Sequence, residues 1–436
     1  MGISEIPQTK KPRVFYGWWI VLAGTFIMTL MGAFNYYGVG VFFNSIRDEF
    51  GWSAAALGAS LSLARVEGGV MAPIVGYLID RLGPRKLMLI GVLICGSGYI
   101  LLSQTGIFLN NLIPPLIYFY LVFILLVQGG ISAGMGNAPS AAVANWFQRK
   151  RGLAMGVMNI GVSLGGMLAR PLASLITNYG WRTALLAAGG TVWVVGLPLA
   201  LIVRHKPELY GYLPDGRDPE TIVEGGSASS RAVITEPEVE FSVKEALRTS
   251  AFWSIAFTFS ARMLVTGSVA VFLIPLLQER GMSLIDAAGV LSLMALIGLP
   301  GRVGFAWLGD HYDKRWVIAF CFVFQSAGLI LFTVVGGTLG IIFFLILYSP
   351  TYSGVLPLIP ALQADYFGRN RFATIRGLMA PIGTISSVGG PLLMTIIRDI
   401  TNSYEPAFVV LGIANILAIV FIVITRKPKD PSTVSV

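Results

Sequence analysis

The stretch that decides the fold reads Gly76-Tyr-Leu-Ile-Asp80-Arg81-Leu-Gly83-Pro-Arg85-Lys86, and it joins two long apolar runs. A degenerate copy in the second half of the chain reads Trp307-Leu-Gly309-Asp310-His311-Tyr-Asp313-Lys314-Arg315. Asp80 and Asp310 are 230 residues apart. A second pair, Trp146-Phe147…Arg151-Gly152 and Tyr366-Phe367…Arg371, repeats at an offset of 220. Two matches at similar spacing predict a duplicated structural unit.

The composition excludes an ordinary water-soluble domain. Hydrophobic residues make up 55% of the 436 residues and charged residues only 12%, against roughly 25% charged in soluble domains. Apolar runs of about 20 residues recur, the length that a helix needs to cross ~30 Å of hydrocarbon. Continuous runs favour helices over a barrel of short alternating strands. Cys95 and Cys321 lie inside apolar stretches, which is not the pattern of a disulfide framework.

The sequence predicts an all-α membrane protein with twelve transmembrane helices. The predicted spans are 17–46, 53–79, 86–104, 115–146, 152–178, 183–203, 251–278, 284–308, 316–335, 340–367, 373–399 and 405–425. One set of connections is rich in Lys and Arg and the other is nearly balanced. By the positive-inside rule we expect both termini in the cytoplasm, in a multi-pass protein of the inner (plasma) membrane. The net charge of +9 is thereby assigned to loops, and we expect no nucleic-acid partner.

A long polar segment divides the chain. We predict an N-terminal six-helix bundle over 1–203, a cytoplasmic central loop over 204–250 and a C-terminal six-helix bundle over 251–436. A polar linker of this kind lets two halves move relative to each other. Near its end, Val243 to Arg248 is predicted to form a short interfacial helix.

The loop signature Gly76-x3-Asp80-Arg81-x-Gly83-x-Arg85-Lys86 resembles that of the major facilitator superfamily, and the resemblance covers essentially the whole chain. It implies two pseudo-symmetric six-helix bundles around a central cavity. It also implies a gating role for the motif, in which glycines permit close packing and the acid meets a helix end. The gating residues are Gly76, Asp80, Arg81, Gly83, Arg85 and Asp310. In the second copy, His311 stands where the first copy has Arg81. This difference argues against two gates that are held closed equally strongly by the two copies of the motif.

Three stretches resemble the monocarboxylate-transporter and oxalate:formate-antiporter branches: Tyr16-Gly-Trp-Trp-Ile-Val21, Trp146-Phe-Gln-Arg-Lys-Arg-Gly-Leu-Ala154 and Gly301-Arg302-x7-Asp310. In those branches an arginine of the eighth helix binds the substrate carboxylate, and the resemblance transfers that role to Arg302. Tyr37 is the nearest match to a first-helix substrate residue. In the superfamily, helices one, four, seven and ten line the cavity, which favours Asn35, Tyr37, Asn137 and Tyr352 among the polar residues as lining residues. For any single one of them, interhelical hydrogen bonding is still favoured over substrate contact.

Charges inside the spans are candidate functional groups, because each costs roughly 2.5–3.5 kcal/mol to insert. The sequence places Arg65, Glu67, Arg170, Arg262 and Arg302 there, four cations against one anion. This excess favours an anionic substrate, since the guanidinium fork fits a carboxylate. Arg302 and Arg262 are predicted to bind substrate, with a structural ion pair as the alternative, and Arg170 to be structural. Glu67, with Arg65 nearby, is a candidate proton carrier or a counter-ion to an arginine.

The prediction is a secondary active transporter of a small organic anion, a monocarboxylate, coupled to protons and working by alternating access. The alternative is an exporter of drug-like or amphipathic compounds, with arginines paired off in an aromatic and Met-rich cavity. A receptor without flux would need a signalling module, which the chain lacks room for. No phosphate-loop motif occurs, and His205 and His311 lie near loops, so we expect no enzyme activity, metal or cofactor. The expected partners are the carboxylate, protons and the lipid bilayer, with the protein a monomer.

Overall fold

The computed structural model describes residues 14–109, 111–216 and 239–429, and nearly all of them are helical. We number the twelve membrane-length segments α1 to α12. The first six are α1 Gly17–Phe50, α2 Ala54–Leu82, α3 Pro84–Leu102, α4 Pro115–Trp146, α5 (151–179) and α6 (181–202). The second six are α7 Ser250–Glu279, α8 Leu284–His311, α9 Lys314–Val334, α10 Gly337–Phe367, α11 Phe372–Thr401 and α12 Glu405–Ile424.

The boundary between α5 and α6 is a single glycine. Eleven helices of the described part are long and apolar enough to span a membrane, and one of them runs from Arg151 to Ile202. Gly180 interrupts it with φ 82° and ψ 157°, a conformation that a side chain disfavours. Next to this turn, Arg182 donates to the Glu49 carboxylate at 2.6 Å, which ties the turn to the end of α1. The long helix therefore crosses twice, and the predicted twelve crossings are confirmed.

The connections sort onto two membrane faces. We call the face that holds the first residues of α1 and the last of α12 the terminal face; the connections near 83, 147–150, 203–216, 312 and 368–371 lie there. We call the other face the loop face; the connections near 51, 103–114, 180, 281, 336 and 402 lie there. The predicted short helix is confirmed as Val243–Arg248, with Ser242 and Glu245 forming a capping box. The Gly/Ser stretch at 225–230 lies outside the described residues, and the bundle boundaries at 203 and 251 stay predictions.

Each half has its own apolar core. One cluster of buried residues fills α1 to α6, and two clusters fill α7 to α12. Where the halves meet, close packing depends on glycine: a Cβ on Gly76 of α2 would lie 2.2 Å from the Ala373 carbonyl oxygen of α11. A Cβ on Gly156 of α5 would lie 2.7 Å from the Arg302 carbonyl oxygen of α8. These two crossings form the seam between the halves.

The halves are joined on the terminal side and separate towards the loop face. Within the described ranges, the hydrogen bonds that cross the seam lie at the level of Arg302 or nearer the terminal face. Tyr36 of α1 lies deeper than the loop-face ends of the helices and is still 62% exposed. The cavity between the halves is thus closed at the terminal face and open at the loop face.

Three helices around this cavity contain widened turns. Residues Gly32–Tyr37 of α1, Ile131–Gly136 of α4 and Phe344–Tyr348 of α10 form π-helical stretches. Such stretches are rare and occur often at functional sites, because they change which side chains share a face. In α1 the widened turn carries Asn35, Tyr36 and Tyr37.

Candidate functional site

The centre of the cavity holds two buried arginines from the second half. Arg262 lies 12 residues into α7, about 18 Å along the helix, and Arg302 lies in α8. Their exposed fractions are 5% and 7%, and the two guanidinium groups are within electrostatic reach of each other. The structure therefore brings together the two cations that the sequence predicted to bind substrate.

Neither arginine has a carboxylate partner among the described residues. Arg302 donates one hydrogen bond, from an Nη to the Asn159 carbonyl oxygen of α5 at 2.7 Å, and its Nε has no partner there. The Arg262 guanidinium lies 5.9 Å from the centre of the Tyr352 ring, and its Nε is also unpaired within the described part. A guanidinium carries five N–H donors. Most of these donors are available to a bound anion.

Tyrosines surround the arginine pair from both halves. Tyr36 and Tyr37 of α1 and Tyr352 of α10 are all within electrostatic reach of Arg302. Tyr37 is 38% exposed, and Tyr352 is partly buried. The sequence predicted Tyr37 and Tyr352 for the site but missed Tyr36. The widened turn of α1, which the sequence does not reveal, lets consecutive tyrosines face the same cavity.

A third arginine of the site, the partly buried Arg376 of α11, was also missed. Its Nε donates to the Asn137 side-chain oxygen of α4 at 3.2 Å, and one Nη is buried without a partner in the described part. Arg376 is within electrostatic reach of Arg262. The sequence analysis did not count Arg376 among the charges inside the spans. Arg376 lies only four residues after the start of α11, so from the sequence it resembles a charge at a helix end. Asn137 contacts this arginine, and the predicted contact of Asn137 with substrate stays a prediction.

The remaining predicted residues occupy separate places. Asn35 accepts a hydrogen bond from Gln128 of α4 at 2.7 Å, an interhelical contact within the first half. Glu67 of α2 lies beside Ser132 and Gly129 of α4, and its Oε2 is buried without a hydrogen-bond partner in the described part. No ion pair joins Glu67 to an arginine in the ranges that the structure describes. The described residues therefore contain no contact that supports Glu67 as a counter-ion to an arginine.

Arg65 and Arg170 are exposed. Arg65 precedes Gly69 by one helical turn, so the two lie on the same side of α2. A Cβ on Gly69 would be 2.4 Å from the Thr384 side chain of α11. Arg65 thus faces the second half, nearer the loop face than the seam. No contact between Arg65 and the arginine pair is found among the described residues.

The two repeat motifs make equivalent bonds across the seam. Asp80, near the end of α2, accepts hydrogen bonds from the backbone N–H groups of Ala373 and Thr374 at 3.1 and 2.8 Å, at the start of α11. Asp310, near the end of α8, accepts from Gly152 and Leu153 at 2.7 Å, at the start of α5. Each carboxylate thereby satisfies free amides at a helix N-terminus and meets its positive dipole end.

The basic residues of the motif do not cross the seam. Arg81 contacts Tyr77 of its own helix at 3.3 Å, and His311 contacts the Trp307 carbonyl oxygen at 2.9 Å. The replacement of Arg81 by His311 therefore leaves the latch unchanged, because the acids form it. No hydrogen bond of Arg85 is found within the described residues. Burial and the neighbouring Lys206 lower the pKa of His205, and its neutral ring packs against Gly83.

The sequence of the whole chain decides the family. The sequence model described as Major Facilitator Superfamily matches residues 25–391 and 305–435. The chain belongs to the major facilitator superfamily. Superfamily membership makes it a multi-pass membrane transporter and not an enzyme, and it confirms the resemblance inferred from the loop motif.

Relatives within the superfamily carry the names of carboxylate transporters. Monocarboxylate transporter 13 of Rattus norvegicus is 27% identical, covering 93% of this chain and 88% of the relative. The gallate transporter of Pseudomonas putida is 27% identical, covering 93% and 90%. The oxalate:formate antiporter of Oxalobacter formigenes is 25% identical, covering 94% and 92%.

Solved structures of superfamily members share the fold. The transporter FucP in its outward conformation matches with a TM-score of 0.73 at 15% identity, covering 95% of this chain and 100% of FucP. The human organic anion transporter TETRAN matches with a TM-score of 0.68 at 15% identity, covering 93% and 98%. At these identities the likeness concerns the fold alone, and it confirms two six-helix bundles.

Proposed function

We propose that this transporter carries a small carboxylate by alternating access, with Arg302 as the anchor and Arg262 as the second cation. The supporting observation is two buried guanidinium groups, from α7 and α8, that have no carboxylate partner in the described part of the chain. An uncompensated charge inside the membrane costs roughly 2.5–3.5 kcal/mol. A bound anion offsets that cost and gains two-pronged hydrogen bonds.

The relatives support the same substrate class. Monocarboxylates, gallate, oxalate and formate, which appear in the names of three relatives, are all carboxylates. The competing function, export of drug-like compounds, required arginines that are paired off. Among the described residues, Arg302 has a single carbonyl partner, and Arg262 has a ring contact instead of an ion pair. This geometry favours an anion carrier.

We also propose that transport is coupled to protons and that Glu67 carries them. Glu67 lies inside α2, with a buried oxygen that lacks a partner among the described residues. A carboxylate without a fixed counter-ion is able to take up and release a proton. Because no arginine contacts Glu67 in the described part of the chain, proton and substrate would bind at separate places.

The terminal face is proposed to be cytoplasmic. Its connections carry most of the loop Lys and Arg residues, and the positive-inside rule places such loops in the cytoplasm of an inner (plasma) membrane. The motif Gly76, Asp80, Arg81, Gly83, Arg85 with Asp310 would then stabilise the state that is closed to the cytoplasm. In that state the arginine pair receives its substrate from the outside.

The test is uptake of labelled carboxylates into proteoliposomes by the wild-type protein and by Arg302→Gln. The panel is lactate, pyruvate, formate, oxalate and benzoate. We expect at least one acid to enter, and its uptake to fall at least about a hundred-fold in the variant, since a lost charged hydrogen-bond pair costs about 3 kcal/mol. Arg47→Gln, at an exposed site at the loop-face end of α1, is the matched control. Normal uptake by Arg302→Gln would remove the anchor from the proposal.

A further inference from the structure

We infer that the carboxylate taken by this site is aromatic, a benzoate-type anion whose ring lies between Tyr352 and Tyr36. This inference rests on the proposed carboxylate transport and specifies its substrate class. It is based on the aromatic surfaces on both walls of the cavity, which play no part in the binding of the carboxylate by the arginines.

One wall is a column of rings on α10. Phe344 and Tyr348 are stacked with centroids 4.9 Å apart, and Tyr348 and Tyr352 are stacked with centroids 5.6 Å apart. Their four-residue spacing puts all three on one face of the helix. Phe344 and Tyr348 are completely buried, whereas Tyr352 is partly exposed. The column therefore holds the Tyr352 ring in place, with the Arg262 guanidinium 5.9 Å from the ring centre.

The opposite wall is formed by α1. Tyr36 and Tyr37 contact no other aromatic ring in the described part of the chain, and no hydrogen bond of their hydroxyls is found there. Tyr36 is nevertheless within electrostatic reach of Arg262, Arg302 and Tyr352. A side chain that is 62% exposed and close to two buried arginines stands in the open cavity, not against lipid. Its ring is unpartnered in this state.

The arrangement selects against short aliphatic acids. Lactate could reach the guanidinium groups, but it would leave the Tyr36 and Tyr352 surfaces uncovered. An aromatic acid would place its carboxylate on Arg302 and Arg262 and its ring against the tyrosines. Aromatic pairs favour offset or edge contacts worth more than the area that they bury. Arg262, already beside the Tyr352 ring, adds an attraction to the ring face of the ligand.

The test compares acids of equal charge, of which benzoate and cyclohexanecarboxylate are also similar in size and lactate is smaller. Unlabelled benzoate, cyclohexanecarboxylate and lactate compete for uptake of labelled benzoate into proteoliposomes. We expect benzoate to bind at least about five-fold more tightly than cyclohexanecarboxylate, the effect of one aromatic contact. Tyr36→Leu and Tyr352→Leu should remove most of this preference, and Tyr352→Phe should keep it. Tyr179→Leu, at an exposed tyrosine of α5 near the loop face, is the control.

The outcomes separate the inference from the proposed function. Equal affinity for benzoate, cyclohexanecarboxylate and lactate, with transport that depends on Arg302, would overturn the aromatic preference and leave carboxylate transport intact. A preference that survives in Tyr36→Leu and in Tyr352→Leu would also overturn it, because the ring contacts would then lie elsewhere. If the wild-type protein transports no carboxylate, both the aromatic preference and the proposed carboxylate transport are wrong. Tyr36 is exposed, so Tyr36→Leu tests the inference even if Tyr352→Leu does not fold.

Discussion

Arg376 shows how a single side chain extends the field of the site. It crosses the seam from α11 to α4 and is held there by the neutral amide of Asn137, so the contact fixes the guanidinium without cancelling its charge. Together with the buried Arg262 and Arg302, the partly buried Arg376 makes three arginines of the second half at the site. An asparagine at 137 therefore preserves the attraction of the cavity for anions.

Replacing Asn137 with Asp should turn this contact into an ion pair and weaken substrate binding. A new negative charge about 8 Å from a bound anion costs about 2 kcal/mol at an effective dielectric constant of about 20, so affinity should fall roughly thirty-fold. The measurement is the concentration dependence of carboxylate uptake. Asn402→Asp adds the same charge at the loop face and should have little effect. Unchanged affinity in Asn137→Asp would mean that Arg376 does not contribute to the site.

Helix ends, rather than helix faces, hold the closed state. Asp80 and Asp310 cap α11 and α5 of the opposite half, and the two ends of the central loop add a second pair of contacts. Asp215 accepts from the backbone N–H groups of Gln148 and Arg149, just before α5. Glu240 accepts from those of Arg369 and Asn370, just before α11. The duplicated motif and the central loop thus fasten the same two helix starts.

Asp80→Asn and Asp310→Asn should each favour opening at the terminal face. The lost charge–dipole interaction is worth about 1 kcal/mol, which would raise the share of opened molecules about five-fold. The probe of opening is a cysteine introduced as Ala361→Cys. Ala361 belongs to α10 of the second half, but it is completely buried and packs against the apolar core of the first half. Labelling by a membrane-impermeant thiol reagent should increase in inside-out vesicles.

Asp399→Asn, at the loop face, is the control for this experiment. Cys95 and Cys321 are buried and should stay unlabelled in every variant. Labelling in right-side-out vesicles instead would place the terminal face outside the cell and contradict the proposed orientation. Equal labelling with and without the Asp variants would show that the caps do not control opening.

At the scale of the whole molecule, the arginines of the site and the carboxylate of Glu67 lie on different halves. The three arginines of the site, Arg262, Arg302 and Arg376, belong to α7, α8 and α11 of the second half, and Glu67 belongs to α2 of the first. Alternating access moves one half against the other, so a proton on the first half and an anion on the second would be exposed to the same face together. Coupling would then follow from geometry rather than from direct contact between proton and substrate.

Glu67→Gln should uncouple transport from the proton gradient. The amide keeps the shape of the protonated acid but cannot release a proton, so an inward proton gradient should no longer increase uptake. Exchange of labelled for unlabelled substrate, which needs no net proton movement, should continue within about two-fold of wild type, because the arginine pair is intact. Asp48→Asn, at an exposed carboxylate of α1, is the control. Gradient-driven uptake that persists in Glu67→Gln would assign the proton to another group.

The sequence by itself determined the twelve membrane crossings, the repeat of the two halves and the positive sign of the charge inside the spans. These depend on local quantities: the length of an apolar run, the recurrence of a motif, and the cost of Arg262 and Arg302 inside a span. The helix bounds agree to within a few residues, including the predicted break between α5 and α6, which the structure places at Gly180. Local chemistry was sufficient for each of these features.

Only the tertiary structure decided which groups meet. Asp80 binds amides 293 and 294 residues away, a pairing that depends on how two halves pack. Tyr36 faces the cavity because of a widened turn in α1, and Arg376 belongs to the site because α11 crosses α4. In the part of the chain that the structure describes, Glu67 lacks an arginine partner for the same reason. These contacts are set by the positions of helices relative to one another, which no local pattern of residues encodes.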